Sequence, residues 1–154
     1  MKKTRFLPFI LLLLSTGTLS AQSAETGFLN RSISLDGVEY RYQVYVPYNY
    51  TAAEEWPVTL FLHGAGERGS DGLKQTQVGL GRAIRLNPER WQTLAVFPQV
   101  PVGESWQGVA GDVAMAALDA TIAEFSADAD RLYLTGLSLG GNGTWYLGYH
   151  HTER

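Results

Sequence analysis

The sequence predicts an α/β protein with a mostly parallel sheet and flanking helices. Three observations lead there. Short apolar runs, at Pro57–Leu62, Thr93–Phe97 and Arg131–Thr135, alternate with longer segments of helical character. An Asp-Gly hairpin signal precedes them, at Asp36-Gly37. The chain is 45% hydrophobic and 18% charged over 154 residues, which is globular composition and allows one domain.

The first segment reads as an address. Lys2, Lys3 and Arg5 form a positive n-region, Phe6 to Leu14 an apolar h-region, and Ala21-Gln22-Ser23 offers small residues at the −3 and −1 positions of a cut. Residues 1–23 are therefore expected to be a cleaved signal peptide and 24–154 the domain. The apolar stretch is too short for a stable membrane anchor, which needs roughly 20 residues. The expected location is secreted or periplasmic. Three of the 12 bases lie in that segment, leaving 9 against 15 acids. Such an acidic chain with no basic run is a poor partner for nucleic acid. It has no cysteine and three histidines, which excludes disulfides and thiolate metal sites and leaves little for any other metal.

Along the mature chain, Leu29 to Leu35 alternates, Asp36-Gly37 turns, and Tyr40 to Val46 returns. Pro57–Leu62 is a nearly continuous apolar run, as in a strand buried on both faces. His63 to Gly72 holds four glycines in ten residues and is a loop. Leu73 to Leu86 is expected to be helical up to Asn87-Pro88. Thr93–Phe97 is a strand closed by Pro98. Asp112 is expected to cap a helix from Val113 to Ser126. Arg131–Thr135 is the last strand, and a helix follows from Leu139 to Tyr149. Strand and helix alternate after the hairpin, which implies crossover helices over parallel strands.

Gly136-Leu137-Ser138-Leu139-Gly140 matches G-x-S-x-G. Its setting, an apolar strand running in and a helix leaving, is that of a nucleophile elbow. Flanking glycines suit a turn too tight for a Cβ, and the helix N-terminus favours developing negative charge. The other reading of the motif is a glycine-rich turn that binds phosphate or only redirects the chain. No Gly-Lys-Ser/Thr follows, so it is not a P-loop. A second piece, Leu62-His63-Gly64-Ala65-Gly66-Glu67-Arg68-Gly69, follows the first buried strand. Acyl transfer needs two N–H donors for the oxyanion, and the N–H groups of Leu139 and Ala65 are the candidates. His63 is expected to brace the loop by hydrogen bonds. Glu67 and Arg68 either pair with each other or shape the mouth of a pocket.

The blocks Leu62–Gly69, Phe97-Pro98-Gln99, Trp106, and Arg131–Gly141 with Gly143-Thr144-Trp145 resemble the amino-terminal part of an α/β-hydrolase. The similarity is to secreted esterases and predicted peptidases of the polyhydroxybutyrate depolymerase, feruloyl esterase and prolyl-oligopeptidase kind. The resemblance implies an eight-stranded, mostly parallel sheet, a Ser-Asp-His triad and no cofactor. It implies Ser138 as nucleophile, Ala65 and Leu139 as oxyanion donors, and Gln99 and Trp106 near the substrate pocket. Val100 stands where many relatives carry Cys.

A serine hydroxyl needs a base, and in this fold the order is Ser, acid, His. After Ser138 come only His150, His151 and Glu153. His150 is roughly 18 Å along the outgoing helix, and Glu153 stands in the wrong order, so all three are expected to be surface positions. The strand before Ser138 is expected to be an open apolar edge. The expectation is a record truncated after the nucleophile elbow, from a protein about 100 residues longer. The functional expectation is a secreted serine hydrolase of small-molecule or polymer carboxylic esters, acting through Ser138. The alternatives are a serine peptidase, or an inactive binding module with Tyr40 to Tyr50 and Trp56 as stacking surfaces.

Overall fold

The computed structural model describes residues 25–154; the expected signal segment lies outside the described residues. β1 (Gly27–Leu35) and β2 (Val38–Val46) form the expected hairpin. Asp36 and Gly37 have φ of 51° and 79°, two successive positive angles that bend the chain with the twist of the strands. Leu35 pairs with Val38 across the turn. β2 lies antiparallel to β4 (Leu94–Pro98), and β3 (Trp56–Leu62) lies parallel between β4 and β5 (Ala127–Gly136). The sheet order is β1-β2-β4-β3-β5. Because β3, β4 and β5 are parallel, the loops that leave Leu62, Pro98 and Gly136 emerge at one edge of the sheet.

Each face of the sheet has its own core. Val44, Val58, Leu60, Leu94 and Val96 pack against α2 (Val109–Glu124) and against Leu147 of α3 (Leu139–His150). Tyr45, Phe61, Ala95 and Phe97 pack against Leu80 and Ile84 of α1 (Gly79–Leu86). All five residues of β4 are buried, as an apolar run covered on both faces requires. The inner face of α2 is built from Ala110, Gly111, Ala114 and Ala117, small side chains that let the helix lie close on the strands.

Two expected boundaries are corrected. The helix expected over Leu73–Leu86 is a short turn at Lys74–Thr76 and then α1 from Gly79. Gly79 has φ +53°, and a Cβ there would lie 2.5 Å from Phe61 Cζ, so the chain breaks its helical path to pass over the sheet. Asp112 does not cap α2. The cap position is Gly108, with no side-chain cap bond, and Asp112 stands in the first turn, its N–H donating to Gly108 O at 3.0 Å. The aromatics considered as stacking surfaces are mostly packing. Trp56 is buried and its Nε1–H donates to Thr51 O at 3.0 Å. The Tyr50 hydroxyl accepts the Ser126 N–H at 2.8 Å. Tyr42 and Tyr45 are core, while Tyr48 is exposed. β5 forms the sheet edge and pairs only with β3 among the described strands; Tyr133 on it is 56% exposed.

The two glycine environments make a stability test. A Cβ at Gly37 meets nothing within 4 Å, so Gly37→Ala carries only the positive-φ penalty, about 1–2 kcal/mol. Gly79→Ala adds the collision with Phe61 and is expected to cost more. Urea unfolding of the two variants against the parent protein checks the order.

Candidate active site

β5 ends at Gly136 and α3 begins at Leu139, so the chain reverses within Leu137-Ser138. Ser138 has φ 54° and ψ −112°, a conformation that non-glycine residues rarely hold. Its neighbours enforce it. A Cβ at Gly136 would lie 2.3 Å from Gly140 O, and one at Gly140 would lie 1.8 Å from Leu62 O. The Leu137 N–H donates to Leu62 O at 3.0 Å, and the Gly140 N–H donates to Leu137 O at 2.8 Å. Ser138 is exposed at the N-terminus of α3 and its side chain caps nothing. The Leu139 N–H finds no acceptor among the described residues.

The loop after β3 runs beside this turn. A Cβ at Gly64 would lie 3.6 Å from Ser138 Cβ and 3.5 Å from Leu137 O. Ala65 follows, exposed, and its N–H also has no acceptor among the described residues. Ala65 and Leu139 thus present free N–H groups from the two segments that meet at Ser138.

His63 holds the loop from below. It is fully buried; its Nε2 accepts the Val100 N–H at 3.0 Å and its Nδ1–H donates to Gly64 O at 2.6 Å. Those partners fix the tautomer and occupy both ring nitrogens, so the ring has no free nitrogen for Ser138. Burial pushes its pKa below the ordinary imidazole value, opposed by the Gly64 carbonyl and the Glu67 charge and reinforced by the Arg68 charge. The ring packs edge-on against Trp106 with centroids 4.9 Å apart.

Gln99 and Trp106, expected near the substrate pocket, are both buried and hydrogen-bonded within the fold. Trp106 is 1% exposed and its Nε1–H donates to His63 O at 3.0 Å. Gln99 is 4% exposed; its Oε1 accepts the Gly72 N–H at 2.7 Å, and its Nε2–H groups donate to Glu67 O at 3.0 Å and Asp71 Oδ1 at 3.1 Å. Their polar hydrogens are committed within the fold, and burial keeps both side chains from an open wall. Asp71 also accepts the N–H groups of Leu73 and Lys74, with Leu73 the main cause of a carboxyl held below the usual carboxylate range.

Glu67 and Arg68 do not pair: among the described residues no ion pair includes either one, and Arg68 Nε is buried without a partner. His150 stands at the far end of α3 and donates Nδ1–H to Tyr146 O at 2.8 Å; His151 lies 3.7 Å from Glu153. Neither approaches the turn at Ser138. Two features escaped the sequence reading. Glycines at 111 and 143 let α2 and α3 close on Trp106, where a Cβ would lie 2.7 Å from its carbonyl oxygen and 2.5 Å from its Cβ respectively. Glu67 also lies closer to the turn than the sequence revealed. An apolar cleft of about 150 Å³ between Leu118, Leu132 and Leu147 sits toward the opposite end of α3. No cluster of metal-ligating side chains occurs among the described residues.

The neutral state of His63 has a pH consequence. Its folded pKa lies below the unfolded value of about 6.5, so its contribution to stability is full above that pH and is lost as pH falls toward the folded pKa, at up to about 1.4 kcal/mol per pH unit. His63→Asn is expected to cost about 2–4 kcal/mol at neutral pH, through the two lost hydrogen bonds, and to flatten that acid-side decline. Urea unfolding on either side of the imidazole value measures both.

No protein-family model and no curated protein sequence matches the chain. Solved structures do. A thermostable esterase aligns at 29% identity with TM-score 0.63, covering 82% of this chain and 38% of that one. A thermostable esterase from Pseudomonas putida aligns at 28% with TM-score 0.58, covering 82% and 39%. A ferulic acid esterase from the anaerobic fungus Anaeromyces mucronatus shares the fold at 18% identity and TM-score 0.51, covering 85% and 57%. The chain spans well under half the length of the first two. Sheet order, crossover helices and these likenesses agree: the chain has the α/β-hydrolase fold and is similar to esterases built on it.

Proposed function

We propose that the protein is a secreted serine hydrolase that cleaves carboxylic esters through an acyl-enzyme on Ser138. The observation that carries this reading is the strained, exposed Ser138 lying between two segments whose N–H groups, at Leu139 and Ala65, have no acceptor among the described residues. The turn then acts as a nucleophile elbow. Ser138 Oγ attacks the acyl carbon and gives its proton to a base. The tetrahedral oxyanion takes hydrogen bonds from Leu139 and Ala65, where fixed donors stabilise charge as it develops. The base returns the proton to the departing alkoxide, and water then releases the acid by the reverse sequence. His63, His150 and His151 do not supply that base, so the reading requires a histidine and an orienting carboxylate outside the described residues. The names of the similar solved structures favour esters over peptides.

A fluorophosphonate probe tests this on the full-length protein, because it labels only an activated serine. Labelling is expected, and Ser138→Ala is expected to abolish it and to lower ester turnover by roughly 10⁴–10⁶-fold. Turnover of peptides alone would replace the esterase reading with a peptidase one, and an unlabelled protein would leave a binding module. Gly140→Ala, which drives a Cβ into Leu62 O, is expected to lose turnover with the geometry of the turn. Export is part of the proposal: amino-terminal sequencing of the mature protein is expected to begin at Ala24.

A further inference from the structure

The Glu67 carboxylate has no partner among the described residues. It is half-buried, its side chain makes no hydrogen bond, and it joins no ion pair among the described residues. Its neighbour Arg68 forms no ion pair with it. It lies over Gly64. A Cβ there would lie 3.0 Å from Glu67 Oε2 and 3.6 Å from Ser138 Cβ. The carboxylate and Ser138 are therefore no farther apart than those two distances laid end to end. The absence of a side chain at Gly64 keeps the interval between them open.

A bare anion in this position is unfavourable to the chemistry by itself. It repels the oxyanion that the neighbouring N–H groups would hold, and partial burial removes some of the water that would screen it. Both effects reverse when the bound ligand brings a positive charge. An ammonium group near the scissile bond pairs with the carboxylate and relieves its desolvation; a carboxylate in the same place adds a second repulsion.

Building on the Ser138 reading, we infer that Glu67 is a specificity-determining residue, which selects esters bearing a cationic group close to the scissile bond and rejects anionic ones. At separations of about 6–7 Å, Coulomb attraction between the limits of water-like and protein-surface screening changes relative rates by roughly 3- to 100-fold.

The test uses the full-length protein and three short-chain esters of one length: a choline ester, its uncharged tert-butyl isostere and a carboxylate-bearing analogue. In the wild type, kcat/KM is expected to rank cationic over neutral over anionic. Glu67→Gln keeps the shape and removes the charge; the cationic-to-anionic ratio is expected to fall about tenfold. Glu67→Asp is expected to retain the ranking. Added salt is expected to lower the wild-type ratio toward that of Glu67→Gln, a reading that needs no variant to fold. A wild-type ratio near unity overturns the inference, as does a ratio unchanged in Glu67→Gln, while fluorophosphonate labelling of Ser138 keeps the underlying reading. A wild type that is neither labelled nor able to turn over any of the three esters overturns both.

Discussion

The carboxyl edge of the sheet depends on the Leu62-His63 peptide pair. Leu62 O accepts the Leu137 N–H, and Gly140 passes so close that no Cβ fits between. His63 O accepts Trp106 Nε1–H, and the His63 ring ties Val100 to Gly64. The ends of β3, β4 and β5 and the start of α3 are thus joined through two residues. The bonds made by His63 are buried, so each is strong once made and costly to leave unmade. A disturbance at one strand end passes to the others because their partners lie on two adjacent residues, Leu62 and His63.

Side chains rather than sheet bonds hold the loop between β3 and α1. Gln99 reaches Gly72, Glu67 and Asp71, and Asp71 gathers Leu73 and Lys74. Such a loop is rigid where it is bonded below and open where it faces solvent. Ala65 and Gly66 are exposed above, while His63 and Gly64 are buried beneath them. This division presents an Ala65 N–H with no acceptor among the described residues on a loop anchored at His63 and Glu67.

What the sequence revealed divides by range of interaction. The Asp36-Gly37 turn was legible because positive φ is a local demand that these residues meet themselves. β3 and β4 were legible because continuous apolar runs suit strands covered on both faces. Gly136 and Gly140 announced the turn because the spacing of the motif is itself the constraint. The helix expected from Leu73 failed because Gly79 answers to Phe61, eighteen residues earlier and on another element. Asp112 looked like a cap because nothing local to it showed that Gly108 would turn first. Gln99 and Trp106 stood out by resemblance alone; their hydrogen-bond partners at His63, Glu67 and Gly72 are long-range, so those bonds could not be read from the sequence. His63 was legible in role through its position, whereas its tautomer needed Val100 and Gly64 in place.

Ser138 poses the sharper question of why a side chain stands there at all. A residue held at φ 54° and ψ −112° carries a strain of about 1–3 kcal/mol. If the turn were needed only to join β5 to α3, glycine would form it with less strain, and the chain uses glycine freely on either side. The surroundings over-determine the conformation: Leu62 O holds Leu137 from one side and leaves Gly140 no room to move on the other. Those contacts offset the strain, and they hold the Ser138 backbone at the surface, beside Gly64 and next to two N–H groups with no acceptor among the described residues. A strained, exposed serine with N–H donors beside it is poorly explained by packing, and the proposed attack on a carbonyl, whose developing charge those donors would meet, explains it. The chemistry proposed at Ser138 accounts for the strain, the glycines and the free N–H groups together, where a structural turn accounts only for the glycines.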